Sequence, residues 1–448
     1  MTADATRDAQ TGPSTEVGPP EGDTPLRIAL LSYKGNPYCG GQGVYVRHLS
    51  RELARLGHHV EVIGAQPYPE LDHVGPGTVT LTELPSLDLY RQPDPFRTPR
   101  REELRDWVDA LEVATMWTGG FPEPLTFSLR ARRHLADRVG EFDVVHDNQT
   151  LGYGLLGLPR LGLPLVTTVH HPITVDRRLE LDAAEGWRAR ASVRRWYGFT
   201  RMQRRVARRL PAILTVSGSS RQEIVDHLGV RPDRVDVVHI GADAQLFAPD
   251  RDQPEVPGRI VTTSSADVPL KGLLYLVEAL AKTRAEHPDA HLVVVGTRPA
   301  RGPVAEAITR YDLADRVEFV KGISDQELAR LIRGAQVACV PSLYEGFSLP
   351  AAEAMATGTP LVASTGGAIP EVAGPDGRTC LAVPPGDSDA LAVALVRLLG
   401  DPALRRRLGE AGRARVLGRF TWEQAALGTV RRYRAAIAAQ GRSPRKAG

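Results

Sequence analysis

The sequence predicts an α/β protein built from two doubly wound, parallel-stranded domains, and three observations carry that prediction. Short apolar runs alternate with segments of helical spacing along nearly the whole chain, the pattern of strand–helix–strand units on a buried parallel sheet. A Pro- and Asp-rich stretch at 248–258 interrupts the alternation and divides it into two series. A chain of 448 residues with 42% hydrophobic content is long enough to bury two cores.

The first series opens with the apolar run from Leu26 to Leu31. A helix follows from Val44 to Leu56, with Val46, Leu49, Leu53 and Leu56 on one face and Gly57 closing it. Further strands are predicted from His59 to Ile63, Asp143 to His146, Leu165 to Val169 and Ala212 to Val216. The second series runs from Ile260 to Thr263, Leu292 to Val295, Val317 to Phe319, Val337 to Val340 and Leu361 to Ala363, and a last helix from Phe420 to Ala439 ends it. The resulting division is a disordered tail at 1–24, a first domain at 25–247, a second at 248–420, and a closing helix and tail at 421–448.

Charge is nearly balanced, 56 basic against 53 acidic residues, which argues against a nucleic-acid binder. Three scattered cysteines, Cys39, Cys339 and Cys380, make neither a disulfide framework nor a zinc site and suggest a reducing compartment. The first 24 residues lack a basic start with an apolar run, and no stretch has membrane-spanning length, so a cytoplasmic protein is expected.

Function is written most clearly between Pro341 and Glu371. Pro350 suits the first helical position, so a helix should begin near Leu349, with Gly346, Phe347 and Ser348 forming a tight approach to it. The free N–H groups and positive dipole end of such a helix hold phosphate without side chains. Glu345 stands just ahead of the helix and Glu353 is expected in its first turn, so two carboxylates border one anion site. Carboxylates are unfavourable beside an anion unless they accept hydrogen bonds from hydroxyls. The expected ligand therefore carries phosphate and sugar together, as a nucleotide sugar does.

The two glutamates with seven residues between them resemble the donor-site signature of retaining GT-B glycosyltransferases, specifically glycosyltransferase family four, the group 1 enzymes that include glycogen synthases and mannosyltransferases. Cys39 to Gly43, Thr168-Val169-His170-His171, Gly241-Ala242-Asp243, Pro269-Leu270-Lys271-Gly272 and Gly366-Gly367 through Glu371 follow in the family's order, covering about residues 26 to 435. The resemblance implies two Rossmann-like domains facing across a cleft, with the last helix crossing back to the first. It implies donor contacts from Gly40, Gly41, Lys271, Gly346, Phe347, Ser348, Leu349 and Glu353, with Glu353 on the nucleotide ribose. His170, Glu345 and Lys271 become the candidate catalytic residues, and His171 and His146 candidates for the acceptor side.

Two departures stand out. An Arg usually lies about five residues before the family's phosphate lysine, whereas Ser264-Ser265-Ala266-Asp267 carries no cation, which leaves Arg298, Arg301 or the serine hydroxyls as substitutes. Ile240 stands where the family usually has Asn. The plain alternative for Gly40, Gly41 and Gly43 is a dinucleotide-binding turn with Glu61 on a ribose, but the loop from Ser32 to Gln42 is too long and Glu61 lies inside its strand.

Trp187 to Arg209 holds nine arginines and no acidic residue, with Val193, Trp196, Phe199, Met202, Val206 and Leu210 at helical spacing. A core-packed helix with a solvated face explains this, and so does peripheral contact of Arg188 to Arg209 with an anionic membrane at its inner face. Since both signature glutamates are committed to the donor, none is left as a nucleophile, and front-face transfer to an unidentified acceptor is expected. No metal or cofactor is implied. A sugar-phosphate synthase or phosphorylase, a nucleotide-sugar epimerase and a non-catalytic binding module are the alternatives.

Overall fold

The structure, a computed structural model, describes residues 24–35, 42–91, 93–263 and 268–441. A seven-stranded parallel sheet forms the first half: β1 Arg27–Ser32, β2 His59–Gly64, β3 Thr78–Glu83, β4 Val144–Asn148, β5 Leu165–Thr168, β6 Ile213–Thr215 and β7 Val235–Val237, in the order β3-β2-β1-β4-β5-β6-β7. A six-stranded parallel sheet forms the second: β8 Val256–Thr263, β9 His291–Val295, β10 Val317–Val320, β11 Ala335–Val340, β12 Leu361–Ser364 and β13 Leu381–Val383, in the order β10-β9-β8-β11-β12-β13. The described part of the chain is thus two Rossmann-like domains.

Every apolar run expected as a strand is one, because a parallel sheet covered on both faces needs continuous apolar stretches. Ile28, Ala29, Leu30 and Leu31 of β1 are fully buried; the helix Gln42–Arg55 presses Val46, Leu49 and Leu53 onto Ile28 and Leu30, while Ala29 and Leu31 face the core on the other side of the sheet. The sequence did not announce β3, β7 and β13. All three are the sheets' outer strands, and β3 reads TVTLTE with most side chains exposed, so the continuous run is missing where one edge faces water.

The expected single helix over the arginine-rich tract is broken. It comprises a helix Gly186–Trp196 with no buried residue, a 3-10 turn Tyr197–Phe199 and a helix Thr200–Ala207. Met202, Val206 and Leu210 enter the first domain's core, while Trp196 packs against Tyr90, Phe96 and Phe121. All nine arginines remain exposed.

The last helix, Trp422–Ala439, leaves the second domain and packs on the first, against the helix Gln42–Arg55 and β4 and β5. Tyr433, fully buried, meets His146 beneath the first sheet's carboxyl edge, and the indole of Trp422 stacks on His48 at 5.0 Å.

Candidate active site

Both sheets point their carboxyl ends at one cleft, where a cavity of about 370 Å³ is walled by Gln42, Gln149, His170 and His171 on one side and Lys271, Tyr344, Glu345 and Gly346 on the other. His170 lies just beyond β5, where the sheet stops. Its backbone N–H donates to Gln149 Oε1 at 2.6 Å, its Nε2 meets Asn148 Oδ1 at 2.8 Å, and Tyr45 packs edge-on against the ring at 4.7 Å. Burial, with His171 beside it, pushes the imidazole down to about 3, so it is neutral.

Opposite, the chain leaves β11 and turns through Ser342 to Phe347 before the helix Leu349–Ala356. Ser348 caps that helix, its hydroxyl accepting from the Ala351 N–H at 3.4 Å, and Pro350 occupies the second helical position, one later than expected. Glu345, 9% exposed, accepts from Lys271 Nζ at 2.9 Å and from Ser342 Oγ at 2.8 Å. Lys271 ends a 3-10 turn, and the following Gly272 sits at φ +68 so close to Pro341 that a Cβ would lie 2.1 Å from its carbonyl oxygen. Only glycine fits there, which holds the lysine against the glutamate.

Glu353 falls one turn inside the helix, past the expected first turn, and does not line the cavity. Burial, with Asp325 nearby, pushes its carboxyl up to about 8. Phe347, Gly346, Leu349 and His171 do line the cavity, while Ser348 is fully buried behind it. Gly40 and Gly41 lie outside the described residues, as do Ser264 to Asp267 beside the missing arginine.

His146 requires a correction. It is fully buried, Nδ1 on the Tyr433 hydroxyl at 2.6 Å and Nε2 on Thr168 Oγ1 at 2.7 Å, so it scaffolds the site from below and does not line its acceptor side. Glu61 binds Arg138 at 2.7 Å and Thr82, which removes the ribose alternative. Arg298 leans over Phe319, and Arg301 lines a separate open depression; neither lines the cavity.

The two domains are clasped beside the cavity. Glu371 accepts from the Gly218 and Ser219 N–H groups at 2.9 and 2.8 Å, and Ser217 and Ser220 donate to the Gly346 carbonyl at 2.6 and 3.1 Å. Asn148, Gln149 and Tyr45 belong to none of the sequence motifs, and no motif by itself shows this clasp. A local signal existed for Asn148 and Gln149 in their position at a strand's carboxyl end.

Family models match nearly end to end, Glycosyltransferase Family 4 over residues 39–246 and Glycosyl transferases group 1 over 249–415. An MMP alpha-(1->4)-mannosyltransferase of Mycolicibacterium hassiacum is 55% identical over 92% of this chain and 99% of its own length. The chain belongs to glycosyltransferase family four. A glycogen synthase of Mycobacterium tuberculosis is 28% identical to this glycosyltransferase over 92% of the chain and 95% of its own. Among solved structures, sucrose-phosphate synthase from Thermosynechococcus elongatus superposes with a TM-score of 0.66 at 27% identity, over 92% of this chain and all of the other. The architecture is GT-B. Among the described residues no helix is long and apolar enough to cross a membrane.

Proposed function

We propose that this glycosyltransferase moves a mannosyl residue from a nucleotide diphosphate mannose to a mannoside acceptor with retention, forming an α-(1→4) bond without a metal ion. The sugar and linkage rest on the 55% identical mannosyltransferase. The observation that carries the chemistry is the Lys271–Glu345 pair facing His170 across the cavity. Lys271 and the N-terminus of the helix Leu349–Ala356 take the leaving diphosphate, Glu345 and His170 the sugar hydroxyls, and Glu353 the ribose. Gly40 and Gly41 approach the diphosphate from the first domain, and His171 borders the acceptor.

In this reading the bond from the anomeric carbon to the diphosphate oxygen breaks as the acceptor oxygen approaches from the same face. The acceptor's proton passes to the departing diphosphate, so no enzyme nucleophile is required. Lys271 enters the reaction already paired, and donor phosphate must draw it from Glu345, freeing that carboxylate for hydroxyls.

The test supplies ADP-, GDP- and UDP-linked mannose and glucose with α-mannosides, with and without EDTA, and reads the product's anomeric configuration by NMR. An α-mannosidic product formed in EDTA is expected. Glucose transfer to a sugar phosphate would favour the synthase alternative, turnover to an epimeric nucleotide sugar the epimerase, and binding without turnover the non-catalytic module. Contact of the exposed arginine face with anionic lipid rests on charge alone, and sedimentation with anionic vesicles at low salt decides it.

A further inference from the structure

His170 is held from two directions by consecutive residues at the end of β4. Gln149, 1% exposed and at φ +56, brackets the histidine pair: its Oε1 accepts the His170 N–H, and its Nε2 donates to the His171 carbonyl at 2.9 Å. A left-handed backbone at a buried glutamine is strained and persists only where its surroundings impose it. Asn148, fully buried, addresses the ring.

The orientation of the Asn148 amide follows from its second contact. Its Nδ2 faces the Gln42 carbonyl oxygen at 3.4 Å, a group that only accepts, so Oδ1 is the atom turned to His170. An amide oxygen can only accept. His170 Nε2 therefore carries the proton, and in a neutral ring Nδ1 is then a lone-pair acceptor, unengaged among the described residues. Tyr45 holds the ring plane, its own hydroxyl on Thr168 Oγ1 at 3.0 Å.

We propose that Asn148 is a positioning residue that locks His170 in the Nε2–H tautomer, so that the ring presents Nδ1 to the cavity as an acceptor for a hydroxyl of the transferred sugar. The proposal rests on the glycosyl-transfer reading of the cleft. The titratable and charged groups around the ring are His171 next in chain, Tyr45 from the helix Gln42–Arg55, the buried His146 on β4, and Lys271 and Glu345 across the cavity.

Asn148→Leu removes the lock, and Asn148→Asp keeps an acceptor at Nε2–H while raising the imidazole's proton affinity. Asn148→Leu should lower kcat about tenfold or more at every pH, the size of one oriented hydrogen bond. Asn148→Asp should approach wild-type kcat at high pH and fall as acid converts the ring to imidazolium, whose Nδ1–H cannot accept. Nitrogen NMR of histidine-labelled protein should show the Nε2–H form in wild type and a tautomer mixture in Asn148→Leu. A flat profile for Asn148→Asp, or an unchanged tautomer with unchanged kcat in Asn148→Leu, overturns the proposal. Retained nucleoside diphosphate binding shows that the variants fold. Wild-type failure with every donor would refute the transfer reading, while the NMR result still decides the tautomer.

Discussion

Lys271 and Glu345 hold each other on one wall of the site, with the glutamate nearly buried and the lysine about one-third exposed. Lys271→Ala should lower kcat by about two orders of magnitude or more, because in the proposed transfer the lysine's charge matters most as the diphosphate departs, and single-turnover kinetics checks this. Glu353 gives a second prediction at this scale. Its folded pKa, about 8, lies above the ordinary 4.5, so between these values the folded protein holds a proton that the unfolded chain has released. Glu353 therefore contributes a loss of stability as pH rises from about 4.5 to 8, and Glu353→Gln should flatten that part of the denaturation-versus-pH curve. In the proposed donor pose, ribose hydroxyls would donate to this carboxylate and favour its charged form. Donor binding at pH 7 should then release a proton, measurable by calorimetry in buffers of different ionisation enthalpy, and Glu353→Gln should abolish the release.

Between elements, the Glu371 clasp fastens the second domain to the N-terminus of the helix Gly218–Glu223, whose dipole favours the carboxylate. Glu371 is not on the cavity wall, so its removal acts through closure. Glu371→Ala should enlarge the radius of gyration of the donor-free enzyme in small-angle scattering and raise donor hydrolysis relative to transfer. Unchanged scattering and partition would mean that the serine contacts to Gly346 suffice. The arginine-rich tract shows what periodicity leaves open at this scale. Its apolar stripe is real from Met202 to Leu210, yet Gly198 lies in a 3-10 turn between two helices, and the first of these buries none of its side chains.

For the whole molecule, the returning helix Trp422–Ala439 makes site and fold interdependent. Tyr433 reaches His146, His146 reaches Thr168, and Thr168 reaches Tyr45, which packs on His170. Tyr433→Phe leaves a buried imidazole nitrogen without its partner and should lower stability by about 1–3 kcal/mol, read from the denaturant midpoint. His146 and His170 both have pKa values near 3 against an ordinary 6.5. Their stabilisation is complete above 6.5 and is lost as pH falls toward 3, because the unfolded chain takes up protons that the folded one refuses.

The sequence by itself determined the parallel α/β class and the central strands, since strands buried on both faces must be continuously apolar. It also placed Lys271, Glu345 and His170 in recognisable motifs, since a helix terminus with carboxylates at fixed spacing is local chemistry. Tertiary structure decided the rest. The outer strands β3, β7 and β13 exist because a neighbour offers hydrogen bonds, a fact their polar or three-residue sequences do not carry. His146 looked equivalent to His170 at a strand end, but Tyr433, 287 residues away, covers it. Asn148 and Gln149 meet His170, 22 and 21 residues away, once β4 and β5 pair, whereas Glu371 meets Gly218, 153 residues away, only when the two domains are packed together.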